Sequence, residues 1–201
     1  MYNMFSYCSS LKTLNTQGWN TANVSNMQNM FESCSSLETL DISHWNTGRV
    51  NSTSYMFRSC TSLKDLKMTG WTMPNLSTMQ YMFYYCTSLE SLDLSGWNPS
   101  NLYYTSSAFN YCTALKTLDI TNMKATGFSS YYNVSYMFGN CSQLSTIYCN
   151  QDWRSTHRIS SSYIYRTYMF SGCTALPNYN SSWTSIAYAY PGDGGYFTAK
   201  S

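Results

Sequence analysis

The sequence predicts an α/β fold in which repeated coils stack into a right-handed solenoid. A parallel β-sheet is expected on one face, and short helices or turns on the other. Three observations predict this fold: cysteines recur at a constant spacing, apolar residues keep fixed positions around them, and one short segment in each interval alternates apolar and polar residues. A constant period is typical of repeat architectures, in which neighbouring units complete one another's core.

The repeat unit is about 26 residues long, which lies within the range of leucine-rich repeats. Five cysteines lie one such period apart, and two more follow at slightly longer intervals: Cys8, Cys34, Cys60, Cys86, Cys112, Cys141 and Cys173. Tryptophans hold the same place in four consecutive intervals: Trp19, Trp45, Trp71 and Trp97. Chance does not keep so many positions in phase. The pattern therefore predicts a solenoid of about seven coils over residues 1–176, followed by a capping segment over residues 177–201.

Each unit predicts a strand, a corner and a short helix or turn. Residues 37–43 end in alternating apolar and polar side chains, as a β-strand does. The Met-Phe-x-x-Cys segment places apolar residues at i, i+1 and i+4, which fits one or two helical turns. Charged residues four positions after each cysteine alternate in sign, which predicts attractive contacts between neighbouring coils: Lys12, Glu38, Lys64, Glu90 and Lys116.

The period is broken twice near the end of the array. Three extra residues enter around residues 129–132, and a longer insertion runs from residue 150 to residue 168. The longer insertion carries the only basic cluster, and we expect its Trp153 and Arg154 to contact a ligand. Insertions in solenoids map to surface loops that often bind ligands, although a plain loop leading to the cap is the alternative.

The composition favours binding over catalysis. Charged residues make up 10% of the chain, aromatic residues 17%, and the net charge is +2. Such a surface suits contact with proteins or sugars and argues against nucleic acid as a partner. No apolar run approaches the roughly 18 residues that a transmembrane helix needs, so no membrane insertion is expected. The sequence shows no motif for a nucleophile, a phosphate loop or a metal site, so we expect neither an enzyme nor a cofactor.

The cysteine column is expected to hold free, buried thiols. Parallel side chains on adjacent coils seldom reach the torsion of a disulfide, and buried thiols behave as small apolar groups. Cys149 lies outside the column, at the strand position that Ile42 holds in its own unit. A disulfide from Cys149 to Cys141 or Cys173 is the alternative to a buried thiol.

The run Met-Phe-x-x-Cys-x-Ser-Leu-x-x-Leu-Asp-Ile-Ser-x-Trp-Asn-Thr, in residues 30–47, resembles the BspA-like leucine-rich repeats of bacterial surface proteins. The resemblance covers about residues 4–176, with departures at Ala108, Met123 and the longer insertion. It implies a leucine-rich-repeat solenoid, adhesion to host or neighbouring cells, a place in a larger protein, and an extracellular or cell-surface location. The start of the chain shows no signal peptide, which leaves a virion tail as the alternative location.

Two surfaces are expected to bind a partner. The outward residues of the strands form the first: Asp41, Lys67, Asp93, Asp119 and Tyr148. Its alternative is a solvated sheet in which Asp41, Lys67 and Asp93 pair across coils. Adjacent tyrosines form the second surface, since both members of a pair can rarely be buried: Tyr84, Tyr85, Tyr103 and Tyr104.

The sequence thus predicts a non-enzymatic adhesion or binding module that recognises a protein or glycan on a host or neighbouring cell. The missing signal peptide motivates one alternative, a receptor-binding domain of a phage tail or similar particle. Columns of Thr and Ser motivate another, binding to ice or a crystal surface, but the Asp and Lys positions interrupt those columns.

Overall fold

The computed structural model describes residues 1–200 as a stack of coils with a parallel sheet on one face. The strands, each three residues long, are β1 (Thr39–Asp41), β2 (Asp65–Lys67), β3 (Ser91–Asp93), β4 (Thr117–Asp119) and β5 (Thr146–Tyr148). The predicted solenoid with a parallel sheet is confirmed. Within residues 1–200, no helix has the length and apolar character needed to cross a membrane.

Neighbouring strands align by one repeat period. Leu40 lies opposite Leu66, and Leu118 lies between Leu92 and Ile147. Backbone pairing lapses between β2 and β3, so the sheet has a two-stranded part and a three-stranded part. The central residue of each strand faces the core and its two neighbours face outward, as the alternation in the sequence predicts.

The face opposite the sheet is built from tight turns. In residues 31–34 the Cys34 amide donates to the Phe31 carbonyl at 3.1 Å, and Ser33 has a φ of 59°. A positive φ at the third position is the mark of a type II turn. The same left-handed position recurs one residue before the cysteine in every coil, from Tyr7 to Gly172.

Of the two alternatives predicted for the Met-Phe-x-x-Cys segment, a short helix or a turn, the structure has turns. Alternate amides of this segment bond to the neighbouring coil: Phe31 donates to Met56 at 2.8 Å, and Ser33 to Arg58 at 2.7 Å. A helix would need these amides for its own i to i−4 bonds. Apolar spacing of i, i+1 and i+4 suits both a helix and a tight turn. Turns form because their amides bond to the neighbouring coil.

Columns of like side chains form the core. The rings of Phe31 and Phe57 stack with centroids 5.5 Å apart and planes 4° apart. The column continues through most of the chain: Phe5, Phe31, Phe57, Phe83, Phe109, Phe138 and Phe170. A second column stacks the tryptophans from Trp19 to Trp97. Because these rings recur once per coil, each coil buries its apolar face only against its neighbours.

The cysteines are free, and all except Cys8 are buried. Each thiol of the column from Cys34 onward points at a phenylalanine carbonyl of the preceding coil; Cys86 Sγ lies 3.1 Å from the Phe57 oxygen. Cys149 is a buried thiol as well, and burial raises its pKa to about 12. The prediction of buried thiols is confirmed, and Cys8 in the first coil is the exception.

The first part of the longer insertion packs into the core. Helix α1 (Trp153–Thr156) places Trp153 in the core, fully buried. Trp153 Nε1 donates to the Met123 carbonyl at 3.1 Å, as Trp71 Nε1 donates to the Ile42 carbonyl at 2.8 Å. Trp153 therefore belongs to the core of its coil, where its side chain is not accessible to a partner.

The last residues cover the end of the stack. Thr198 pairs in parallel with Tyr148, and its amide donates to the Ile147 carbonyl at 2.8 Å. Phe197 meets the ring of Trp153 edge to face, with centroids 5.0 Å apart. This pairing occupies the edge of β5, which would otherwise present unpaired backbone groups.

Among the alternating charges, one ion pair closes within residues 1–200: Lys116 Nζ lies 2.8 Å from Glu90 Oε2. This hydrogen bond lowers the pKa of Glu90. Both side chains are more than half exposed, so the pair adds little to stability.

Candidate binding surfaces

On the strand face, the aspartate side chains accept hydrogen bonds within the turns that follow their strands. Asp41 accepts hydrogen bonds from the Ser43 amide at 3.0 Å and the Ser43 hydroxyl at 2.7 Å, and both lower the pKa of Asp41. Asp93 accepts a similar bond from the Ser95 amide at 2.9 Å. A carboxylate that caps the backbone two residues on is an Asx turn. The turn explains why aspartate ends these strands without requiring a ligand.

The strand face remains open over β1 and β2. Asp41 and Lys67 lie opposite each other in register, and both are exposed. A depression of about 240 Å³ runs beside them and is also lined by Thr39 and Asp65. Asp41 and Lys67 are thus accessible to a partner, and their role as contacts stays a prediction.

The strand face is partly covered over β4 and β5, where Asp119 is buried. Lys200 Nζ pairs with one carboxylate oxygen of Asp119, and the Thr121 amide donates to the other at 3.0 Å. Burial opposes the charge of Asp119, but the bonds from Lys200 and Thr121 outweigh it and lower the pKa of this carboxyl group. The Lys200 ammonium also lies 5.3 Å from the ring centroid of Tyr148. Asp119 is thus satisfied by partners within the chain while it still lines a pocket of about 210 Å³ beside Tyr148, and its role as a contact residue stays a prediction.

Arg154 is exposed but engaged. Its Nη2 lies 2.7 Å from Asp152 Oδ2, and its guanidinium carbon lies 3.3 Å from the ring centroid of Tyr190. These contacts tie helix α1 to the C-terminal segment. Arg154 therefore has a structural role, and its role as a ligand contact stays a prediction.

Both predicted tyrosine pairs reach the surface. Tyr103 and Tyr104 are exposed and form a pair of their own, with ring centroids 6.5 Å apart. Tyr85 is 44% exposed and Tyr84 half-buried, and these two belong to a larger group.

We call this group the tyrosine cluster, and it is built on the turn face by neighbouring coils. Its members are Tyr55, Tyr81, Tyr84, Tyr85 and Tyr111. Tyr55 stacks on Tyr81 at 5.0 Å, while Tyr111 meets Tyr84 at 5.9 Å and Tyr85 at 5.5 Å. The rings hold one another in place while part of each stays exposed.

A fixed arginine borders the tyrosine cluster. Arg58 Nη1 lies 2.8 Å from Glu32 Oε1, and the Arg58 guanidinium carbon lies 5.7 Å and 5.8 Å from the ring centroids of Tyr55 and Tyr84. Glu32 is buried and also accepts a hydrogen bond from the side chain of Asn29. Cation–π contacts and the ion pair therefore orient the guanidinium before any partner arrives.

Four of these tyrosines stand in left-handed backbone positions. Tyr55, Tyr81, Tyr85 and Tyr111 have φ values of 61°, 55°, 65° and 63°. This conformation costs a residue with a side chain about 1–2 kcal/mol, and glycine or asparagine least. Other coils place Asn29 or Gly172 at the same kind of position. The backbone does not favour tyrosine here, although Tyr136 and Tyr168 outside the cluster also hold such positions.

The repeat columns could have revealed the cluster. Glu32, Arg58 and Tyr84 all stand two residues before a cysteine, and Tyr55 and Tyr81 stand five before. A stacked array places such positions on adjacent coils. The pairs of adjacent tyrosines, from which the sequence predicted this surface, do not include Arg58, Glu32 or Tyr55.

The period, the parallel strands and the core columns define a leucine-rich-repeat protein. The chain belongs to the family described as mycoplasma proteins of unknown function, DUF285, whose model matches residues 1–123 and 66–183. The predicted relationship to the leucine-rich-repeat family is confirmed. The sequence matches no curated protein.

Solved structures of bacterial leucine-rich-repeat proteins are similar to the chain at low identity. A leucine-rich-repeat protein of T. pallidum, TpLRR, is 15% identical, with 83% of this chain and 77% of that chain covered and a TM-score of 0.42. A leucine-rich cell surface protein of Faecalibacterium prausnitzii A2-165 is 16% identical, with 92% and 78% covered and a TM-score of 0.22.

Proposed function

We propose that the chain is a non-enzymatic binding module of a cell-surface protein, and that its tyrosine cluster contacts a partner protein. One observation carries this proposal: tyrosines occupy left-handed turn positions at a local energetic cost, beside an arginine that is already oriented. Tyrosine and arginine are the residues that most often dominate the energy of protein interfaces.

The packing within the cluster lowers the cost of binding. Free aromatic and arginine side chains lose conformational entropy when a partner fixes them. Here Tyr84 is held by Tyr81 and Tyr111, and Arg58 by Glu32. A preorganised surface of this kind keeps more of its contact energy for affinity.

The test is a binding screen of the purified chain against immobilised host extracellular proteins, with a glycan array beside it. The double variant Tyr85→Asn, Tyr111→Asn removes two rings and suits the left-handed backbone. We expect this variant to weaken binding of a detected protein by about tenfold or more. The matched control is Tyr136→Asn at φ 55°, the same kind of turn position outside the cluster; it should change affinity by less than about twofold.

A second variant pair separates the two surfaces. Asp41→Asn with Lys67→Gln changes the open strand face and leaves the tyrosine cluster intact. We expect it to preserve binding within about twofold. Loss of binding in this variant together with full binding in the tyrosine variant would move the site to the strand face. Failure of the chain to bind any protein would overturn the proposal.

The surface location has its own test. Antibodies raised against the purified chain should label intact cells that produce the protein. Labelling that requires permeabilised cells would contradict this location.

A further inference from the structure

The two breaks in the repeat period meet in space. The Arg158 amide donates to the Phe128 carbonyl at 2.7 Å, which sets residues 129–132 beside the segment that follows Arg158. The rings of Tyr131 and Tyr163, one from each break, stack with centroids 5.5 Å apart. The extra residues of neighbouring coils therefore combine into one local structure.

A pocket of about 300 Å³ opens between the two breaks. Its lining residues are Ser129, Ser130, Tyr131, Ile159, Ser160 and Tyr163. The volume lies at the lower end of small-molecule sites and fits a ligand the size of one hexose unit. Aromatic rings provide apolar walls for a sugar ring, and serine hydroxyls provide hydrogen-bonding partners for its hydroxyl groups.

The surroundings of the pocket are positively charged. The guanidinium carbon of Arg166 lies 5.3 Å from the ring centroid of Tyr163, and Arg158 is exposed nearby in sequence. Within residues 1–200, neither arginine forms an ion pair with a carboxylate. Asp152 is the only acidic residue between positions 120 and 192, and it is paired with Arg154. An anionic group on the ligand would be attracted here.

We propose that this pocket binds an acidic sugar unit, a pyranose ring that carries a carboxylate or a sulfate. The ring lies against Tyr131 and Tyr163, and the anionic group meets Arg166. Neither Tyr131 nor Tyr163 belongs to the tyrosine cluster, so this site is independent of the protein-binding surface proposed above.

The first experiment compares two probes that differ only in the carboxylate: methyl glucuronide and methyl glucoside. Saturation-transfer NMR and titration calorimetry should show methyl glucuronide binding about fivefold tighter or better, since one charge-assisted hydrogen bond is at stake. Equal binding of the two probes, or binding of neither, overturns the proposal. Displacement of methyl glucuronide by an equal concentration of inorganic sulfate would also overturn it, because the site would then take a free anion.

Variants locate the site. Tyr163→Ala should weaken the binding of methyl glucuronide by about tenfold. Arg166→Gln should weaken the binding of methyl glucuronide by about fivefold and leave the binding of methyl glucoside unchanged. Tyr165→Ala is the matched control, because Tyr165 is 66% exposed in the same segment and does not line the pocket.

Two further measurements keep the result interpretable. The thermal unfolding midpoint of each variant should match the parent, which separates a lost contact from a lost fold. The variant Tyr85→Asn, Tyr111→Asn should retain methyl glucuronide binding, so that the two proposals fail separately. Loss of sugar binding in this variant, or in Tyr165→Ala, would overturn the assignment of the pocket.

Discussion

The regular coils and the C-terminal region pack aromatic rings in different ways. Phe83 lies between Phe57 and Phe109 with all planes within 10° of parallel. At the other end, Phe197 meets Trp153 at 84°. Parallel stacking repeats because each coil copies the one before, whereas the end of the stack must be closed by a segment with no copy.

The regular coils and the breaks in the period also build different kinds of surface. Regular coils present columns of side chains, and the tyrosine cluster is made of such columns. The breaks in the period add a pocket beside Tyr131 and Tyr163, where neighbouring coils gain extra residues. Repetition thus pairs the backbones of neighbouring coils, and the two departures from it shape the pocket beside Tyr131 and Tyr163.

The largest expected effect comes from the middle of the phenylalanine column. Phe83→Ala removes a fully buried ring from between two others and should lower the free energy of unfolding by about 3–5 kcal/mol. Urea unfolding followed by circular dichroism measures this loss. Phe83→Leu is the milder control, and a loss below about 1 kcal/mol for Phe83→Ala would contradict the role of the column.

A methyl group at Gly127 tests how closely the coils approach at the corner. Its Cβ would lie 2.2 Å from the Leu102 carbonyl oxygen, so the backbone must shift, and Gly127→Ala should cost about 1–3 kcal/mol. Gly48→Ala is the comparison in a regular coil, where the nearest atom is the Asn46 side-chain oxygen at 3.3 Å. Equal unfolding midpoints in urea for the two variants would show that the corner is not tight.

The covered and open halves of the strand face should respond differently to acid. Asp119→Asn removes the charge that pairs with Lys200 and should cost about 1–2 kcal/mol near neutral pH, whereas Asp93→Asn on the exposed side should cost less. The folded pKa of Asp119 is lowered, so its contribution is present above its ordinary value and is lost as pH falls through the lowered pKa. Thermal unfolding from pH 7 down to pH 3 should therefore show a steeper decline for the parent than for Asp119→Asn. Identical slopes would contradict the pairing.

The smallest effect concerns backbone strain in the tyrosine cluster. Tyr85→Asn relieves a left-handed tyrosine but loses a ring contact with Tyr111, so we expect a net gain in unfolding free energy between zero and about 1 kcal/mol. Tyr85→Phe keeps the strain and should leave stability unchanged. A loss of more than about 1 kcal/mol in Tyr85→Asn would show that the ring, and not the backbone, sets the stability here.

Much of the fold followed from the period, because columns in the sequence become columns in space. The turns did not, since the apolar spacing around Phe31 and Cys34 fits a helix equally well and only bonds to the next coil distinguish the two. The core position of Trp153 was not predicted, because Trp153 lies one position further from Cys141 than the earlier tryptophans lie from their own cysteines.

The candidate sites were harder to predict, because burial depends on distant parts of the chain. Asp119 repeats the pattern of Asp93, yet Lys200, 81 residues further on, covers only the former. Nothing in the local sequence of β4 indicates the contact between Asp119 and Lys200. The tyrosine pairs were easier, since two adjacent side chains on a thin coil cannot both point inward.

The amide ladder between coils has a consequence for the history of the gene. The bonds from Phe31 to Met56 and from Phe57 to Met82 use only backbone groups and recur with the period. A duplicated or deleted unit would therefore find the same partners above and below it. Recombination within the gene can lengthen or shorten the array without disturbing the fold, while single substitutions at the left-handed turn positions change which side chains it displays. The length of the array and the side chains on its turn face can thus change separately.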